Sequence, residues 1–257
     1  MDKINEMRFG SGTFKIIAGP CSIENYEILY ETAKELKSRG VNMLRGGAYK
    51  LRTSVHSFRG LGDAGIMHLA QVGKEFDMIT VSEVTQIDKV EFMAQNIDIL
   101  VVGTRNMHNY PLLESLGKIT NPVILKRGIA STYDEWMAAA EYIIESGNAQ
   151  VILCERGIRT FEHETRYTLD ISAIPVMKQK TQLPIIIDPS HASGKSSLVS
   201  SLAFAAIAAG ADGLMIESQV NPLESICDAA QTVSPETISW ILDTVPDLRL
   251  HLTRMKL

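Results

Sequence analysis

The chain reads as an α/β protein, a single (β/α)8 TIM barrel with a short N-terminal β-hairpin. Three observations lead there. Eight short apolar runs alternate with eight helical stretches along 257 residues, and strict alternation of that count in about 250 residues is the pattern of one closed barrel. The runs are continuously apolar, as expected of parallel strands covered by helices on the outside. Most runs also end in a residue that a core should not contain, which suits a barrel whose strand C-termini form a working rim. A doubly wound open sheet is the structural alternative.

In chain order, residues 1–14 form an N-terminal extension, in which Met7 to Phe14 resembles a hairpin turning at Gly10-Ser11-Gly12 and placed to cap the bottom of the barrel. Strands are predicted near 15–20, 41–45, 78–82, 98–103, 122–126, 150–154, 184–188 and 212–217. Helices are predicted near 25–39, 63–76, 86–95, 109–117, 133–146, 168–181, 197–209 and 235–245, with Ser193 a cap for the seventh. Turn signals such as Ser38-Arg39-Gly40, Ser146-Gly147-Asn148 and Gly210-Ala211-Asp212 separate them. Met67, Met78, Met93 and Met215 read as core filler, and Trp136 and Trp240 as packing residues in helices. Three loops are longer than packing requires, Gly46 to Gly62, Glu155 to Thr168 and Ser218 to Pro235, and long loops in compact domains are usually functional. Residues 1–257 are expected to be one catalytic barrel without a separate regulatory domain.

Composition narrows the class. Hydrophobic residues make up 45% and charged residues 21%, as in ordinary globular proteins. A net charge of −5 argues against nucleic acid as a partner. Met1-Asp2-Lys3-Ile4-Asn5-Glu6 carries no secretory pattern, and the greasiest stretch, residues 198–209, is too short to span a bilayer. Cys21, Cys154 and Cys227 form no C-x-x-C pair and are expected as free thiols. Together these predict a cytoplasmic protein that acts without a membrane.

The chemistry-bearing residues sit at the ends of the apolar runs. Cys21, Arg45, Arg105, Lys126, Glu155-Arg156, Asp188 with His191, and Glu217 each follow one. In a closed barrel they would share one mouth. Arg45, Lys50, Arg52, Arg105, Lys126 and Arg156 form a set of cations. Any one of them is explained by a salt bridge to a rim carboxylate. Together they suggest a site for phosphate and carboxylate oxygens, most simply a doubly phosphorylated substrate set. A second set is Cys21, His191, Glu217 and a carboxylate in the last long loop, with Asp228 the candidate. Thiolate, imidazole and carboxylates suit a borderline divalent ion, Mn²⁺, Fe²⁺, Co²⁺ or Zn²⁺. Gly194-Lys195-Ser196 is not a phosphate loop, because Pro189 stands where the first glycine is needed.

Seven ordered motifs carry a resemblance. They are Gly19-Pro20-Cys21-Ser22-Ile23-Glu24, Arg45-Gly46-Gly47-Ala48-Tyr49-Lys50, Arg52-Thr53-Ser54, Ser57-Phe58 with Gly60-Leu61-Gly62, Leu125-Lys126-Arg127-Gly128, Cys154-Glu155-Arg156-Gly157 and Asp188-Pro189-Ser190-His191. The chain resembles the 3-deoxy-D-arabino-heptulosonate-7-phosphate (DAHP) synthases, in the short barrel-only type I-beta form, over roughly residues 13–240. The resemblance implies a transferase that condenses phosphoenolpyruvate with erythrose 4-phosphate and water and releases phosphate, the first step of the shikimate route to aromatic amino acids. It implies metal ligands at Cys21, His191, Glu217 and Asp228, with Mn²⁺ the leading ion. It implies phosphoenolpyruvate contacts at Arg45, Lys50, Arg105, Lys126 and Arg156, aldose-phosphate contacts at Arg52 and Thr53, and a homodimer or homotetramer. Lys50 is the expected proton donor to the aldose oxygen. Lys126 and Glu83 are expected to orient water, with a salt bridge to a nearby lysine the plainer reading of Glu83.

Two positions depart from the family pattern. Leu51 replaces a proline that would stiffen the aldose-phosphate loop, and Ser218-Gln219 replaces Val-His after Glu217. The single residue between Lys50 and Arg52 favours the four-carbon aldose over arabinose 5-phosphate, the substrate of the related octulosonate-8-phosphate synthases. A catalytically silent sugar-phosphate-binding barrel is the remaining alternative. Without the fused regulatory or chorismate-mutase domain that some relatives carry, the chain is expected to be insensitive to aromatic amino acids unless a separate protein regulates it.

Overall fold

A computed structural model describes residues 7, 9–10, 12–51, 56 and 58–255. Eight parallel strands close into a barrel in sequence order, the last pairing with the first. They are β1 Lys15–Gly19, β2 Met43–Arg45, β3 Ile79–Val84, β4 Ile99–Val102, β5 Val123–Lys126, β6 Val151–Glu155, β7 Ile185–Ile187 and β8 Gly213–Glu217. Each overlaps a predicted run, and the closure excludes the open sheet.

The helices are α1 Tyr26–Ser38, α2 Asp63–Glu75, α3 Val90–Asn96, α4 Tyr110–Leu116, α5 Tyr133–Glu145, α6 Ala173–Lys180, α7 Pro189–Ser193, α8 Ser196–Ala208 and α9 Pro235–Met255. Local chemistry starts several of them. The Asn25 side chain accepts the Ile28 N–H at the start of α1, and Thr132 with Glu135 forms a reciprocal capping box on α5.

Three boundaries differ from expectation. α6 begins at Ala173 because Thr168 is engaged in an antiparallel bridge with Ile158, which ties down the β6 loop. α9 continues past 245 through Pro246, packing along α8. Ser193 does not cap the seventh predicted helix; it ends α7, and Gly194 at φ 68 breaks the chain before α8. Only glycine adopts that left-handed turn at little cost.

Side-chain parity divides the core in two. Ile17, Met43, Val81, Val101, Ile124, Cys154, Ile186 and Met215 point into the barrel. Their neighbours Ala18, Leu44, Leu100, Leu125, Leu153, Ile187 and Leu214 point outward to the helices. Phe9 closes the bottom of the interior, so the leading segment does cap the barrel. Within the predicted hairpin, residues 8 and 11 lie outside the described set, as do residues 1–6 of the extension before it; among the described residues before Lys15 there is no strand. Met78, Met93, Met215 and Trp136 are buried as expected, whereas Met67 is 49% exposed, and Trp240, 56% exposed, still packs edge-on against Phe204 of α8 at 4.9 Å. Both lie off the apolar stripes of their helices, which run through Ile66 and Leu69 and through Ile238 and Ile241.

Candidate active site

A strand alternates its faces with period two, so the residue two beyond an inward core residue also points inward, now at the mouth. That rule delivers the site. Met43 leads to Arg45, Val81 to Glu83, Ile124 to Lys126, Cys154 to Arg156, Ile186 to Asp188 and Met215 to Glu217. On β1 the corresponding position is Gly19, where a Cβ would collide with the Arg45 carbonyl; the close approach carries the chain over the strand end to Cys21. On β4 it is Gly103, where a Cβ would collide with the Glu83 carboxylate. Glu155 has the opposite parity. It does not reach the mouth but accepts from Arg127 at 2.9 Å and from the Gly157 N–H at 2.6 Å.

The four proposed metal ligands converge. One donor atom from each of Cys21, His191, Glu217 and Asp228 lies within 4.8 Å of the other three. Glu24 helps assemble them, since its carboxylate accepts from Ser225 Oγ at 3.0 Å and the Ile226 N–H at 2.9 Å, binding the β8 loop to the β1 loop. Cys227 then brings its sulfur to 2.9 Å from Cys21 Sγ. Asp188 orients His191: its Oδ2 lies 2.8 Å from Nδ1 and 2.6 Å from Lys126 Nζ.

The electrostatics suit a cation in the centre. Burial pushes the Asp188 carboxyl up, but His191 and Lys126 outweigh it and hold it well below the usual carboxylate range. Burial lowers the His191 imidazole below its ordinary value against the pull of Asp188 and Glu217. In the tautomer with its hydrogen on Nδ1, toward Asp188, a neutral ring presents the Nε2 lone pair to Glu217 Oε1 at 3.2 Å. Burial also opposes ionisation of Glu217, yet His191, Arg45 and Lys50 bring its carboxyl down to about 2. Two acceptors thus face each other at a distance that a shared cation relieves. The Cys21 thiol, pushed well up by its contact with Cys227, by burial and by Glu217, needs such a charge to ionise. The donor set therefore fits a divalent ion of the borderline class.

The cations are placed around this cluster in different ways. Arg45 donates to Glu217 Oε1 at 3.1 Å and Lys126 pairs with Asp188, so for these two the salt-bridge reading and the site reading coincide. Lys50 Nζ stands 3.1 Å from Cys21 Sγ. Arg156 stacks on Tyr167 at 4.3 Å and donates one nitrogen to the His191 carbonyl, leaving its buried Nη1 with no partner among the described residues. Arg105 is exposed on the short turn Thr104–Asn106 and makes no ion pair among the described residues. Glu83 likewise forms no ion pair there, and it lines one recess with Arg45, Lys50 and Lys126. Arg52 and Thr53 lie outside the described residues.

Sequence reasoning assigned no role to four residues that hold this site: Asp188, Cys227, Arg166 and Gln231. Asp188 was expected at the mouth, and its inward parity two beyond Ile186 agrees; only its contacts with Lys126 and His191 were not foreseen. Nothing local marks the others, since loop closure brings them in.

A family model described as the DAHP synthetase I family matches residues 2–252. The chain is 44% identical over 245 residues to a phospho-2-dehydro-3-deoxyheptonate aldolase of Thermotoga maritima, covering 95% of this chain and 72% of that one. The crystal structure of the Thermotoga maritima DAHP synthase superposes with a TM-score of 0.92 over the same shares at 44% identity. A truncated form of a 3-deoxy-D-arabino-heptulosonate 7-phosphate synthase from Thermotoga maritima superposes with a TM-score of 0.88 at 43% identity, covering 95% of this chain and 89% of that one. A 2-dehydro-3-deoxyphosphooctonate aldolase of Desulfosudis oleivorans is 30% identical over 272 residues, covering 97% of this chain and 96% of that one.

Proposed function

Because the chain belongs to the DAHP synthetase I family, we propose that it condenses phosphoenolpyruvate with erythrose 4-phosphate and water to give 3-deoxy-D-arabino-heptulosonate 7-phosphate and inorganic phosphate. The observation that carries the residue assignments is Lys50 Nζ at 3.1 Å from Cys21 Sγ, which sets a proton donor beside the metal-donor cluster. A divalent ion held by Cys21, His191, Glu217 and Asp228, Mn²⁺ first among candidates, would supply Lewis-acid polarisation of the aldose carbonyl.

The chain's own residues account for the rest. Arg105, Lys126 and Arg156 bind the phosphate and carboxylate of phosphoenolpyruvate and fix its reacting face. Arg156 brings an unpartnered buried Nη1 to that task. Carbon 3 of phosphoenolpyruvate attacks the aldehyde carbon, and Lys50 gives a proton to the aldose oxygen as it becomes a hydroxyl. Glu83 and Lys126 orient the water that adds at carbon 2, after which the carbon–oxygen bond to phosphate breaks. Arg52 and Thr53 hold the phosphate of the aldose.

The free cysteines support a cytoplasmic reading; no described helix is long and apolar enough to cross a membrane. Phe161, Leu223 and Ile226 stand exposed on the β6 and β8 loops, side chains of the kind that a second copy buries, which supports a homodimer or homotetramer. Light scattering tests the assembly.

The reaction is tested by phosphate release from phosphoenolpyruvate with erythrose 4-phosphate or arabinose 5-phosphate, with Mn²⁺ and then with chelator. Release with the four-carbon aldose alone, lost on chelation and restored by metal, is the expected result. Release only with arabinose 5-phosphate would move the chain to the octulosonate branch, and release that survives exhaustive chelation would end the metal assignment.

A further inference from the structure

We propose that Gln231 and Arg166 are positioning residues that aim Glu217 and Asp228 at the divalent ion. The inference rests on the metal reading above. Gln231 is buried on the turn Ala229–Gln231, and its Nε2 donates to Glu217 Oε2 at 2.6 Å. Its Oε1 accepts from Arg166 Nη1 at 3.0 Å. The same guanidinium nitrogen lies 3.4 Å from Asp228 Oδ1. One arginine of the β6 loop therefore supports two of the four candidate ligands, one directly and one through an amide.

The chain of contacts has a direction. A flipped amide would set Oε1 against a carboxylate and the NH₂ group against a guanidinium, so both neighbours select the same orientation. Glu217 Oε2 is thereby committed to Gln231, and Oε1 is left as the oxygen that faces Arg45 at 3.1 Å and His191 Nε2 at 3.2 Å. Gln231 thus decides which oxygen the carboxylate presents.

Arg166 is itself held in place. Its N–H donates to the Ser193 carbonyl at 3.0 Å, at the end of α7, the helix that carries His191. A Cβ on Gly194 would come within 2.7 Å of Arg166 Cβ, so glycine there makes room for the arginine stem. Asp228 has a left-handed backbone (φ 57), a conformation uncommon outside glycine though aspartate is among the residues that take it most readily. The Gln231 N–H donates to the Asp228 carbonyl at 3.1 Å and closes the turn that holds it there. Partners of this kind typically change metal affinity by about 10–100-fold when removed.

The test is Co²⁺ binding to metal-stripped protein, read by equilibrium dialysis and by the thiolate–cobalt absorption band of Cys21. Cys21→Ala serves as the control that should lose the band. Gln231→Leu should weaken Co²⁺ binding by about 10–100-fold, while the KM for phosphoenolpyruvate at saturating Co²⁺ stays near wild type. Arg166→Met should weaken binding too, with Arg166→Lys recovering part of the loss, and the double variant should lose less than the product of the single losses. Arg166 is partly exposed, so its variants decide the matter even if Gln231→Leu fails to fold. Wild-type protein that binds no Co²⁺ would sink the metal reading itself. Normal binding by wild type, Gln231→Leu and Arg166→Met alike would overturn the brace alone.

Discussion

Lys50 stands beside the sulfur of a candidate ligand and lines the recess shared by Glu83 and Lys126. If it gives the proton to the aldose oxygen, Lys50→Ala should lower kcat by about 10²–10⁴-fold, measured as phosphate release at saturating substrates; near-normal turnover would remove it from that role. Arg156 offers a different test. Its planar group stacks on Tyr167 and keeps a second nitrogen free, neither of which lysine reproduces. Arg156→Lys should therefore raise the KM for phosphoenolpyruvate rather than act as a neutral exchange. Asp188 shows how far residue identity was legible beforehand. Its motif could be read from the sequence, but its work could not. That work is one carboxylate oxygen serving Lys126 and His191 together, and Lys126 comes from a strand 62 residues away.

The elements place these groups through glycines and straps. Gly103 ends the inward row of β4 and lies against the Glu83 carboxylate. Gly103→Ala must displace that carboxylate, and a misplacement near 1 Å costs about 10²-fold in rate; the readout is kcat alongside an unchanged fold by circular dichroism. The β6 loop is strapped to α5 by Asp170, which accepts from Tyr133 Oη at 2.6 Å and pairs with Arg127 at 2.8 Å. Burial pushes the Asp170 carboxyl up, yet Tyr133 and Arg127 bring it below its ordinary value of 3.8. A depressed carboxyl stabilises the folded state above its unfolded pKa and loses that contribution as pH falls through the folded one. Denaturation midpoints should accordingly drop more steeply on acidification below about pH 4 in the wild type than in Asp170→Asn. Equal slopes would show that the strap carries no pH-dependent stability. Glu155 shifts the other way because burial dominates there, which is why the comparison is made at Asp170.

At the scale of the whole molecule, the barrel separates stability from chemistry. Phe9 seals the bottom of an interior whose top is the site. Phe9→Ala should cost about 3–5 kcal/mol of stability by leaving a cavity, while kcat at 25 °C stays near wild type. A large fall in kcat with unchanged melting temperature would show that the two ends are coupled.

The sequence by itself determined the alternation of buried strands and helices and which residue types end the strands, while closure of the sheet decided between barrel and open sheet. Short uninterrupted apolar runs, alternating with amphipathic stretches, suit strands covered on both faces. The residues that break those runs had to sit at strand ends, because a core would not tolerate them. Arg45, Lys126, His191 and Glu217 were legible for that reason. Tertiary structure alone decided which partner each one meets. Closure of β8 against β1 brought Cys21 to Cys227 and Asp228, more than 200 residues further along the chain. Packing of the β6 loop against the β8 loop brought Arg166 to Gln231 and Asp228. Periodicity records which face a side chain takes, but it carries no information about what stands opposite, and hydrogen-bond geometry across loops depends on where the barrel holds their ends.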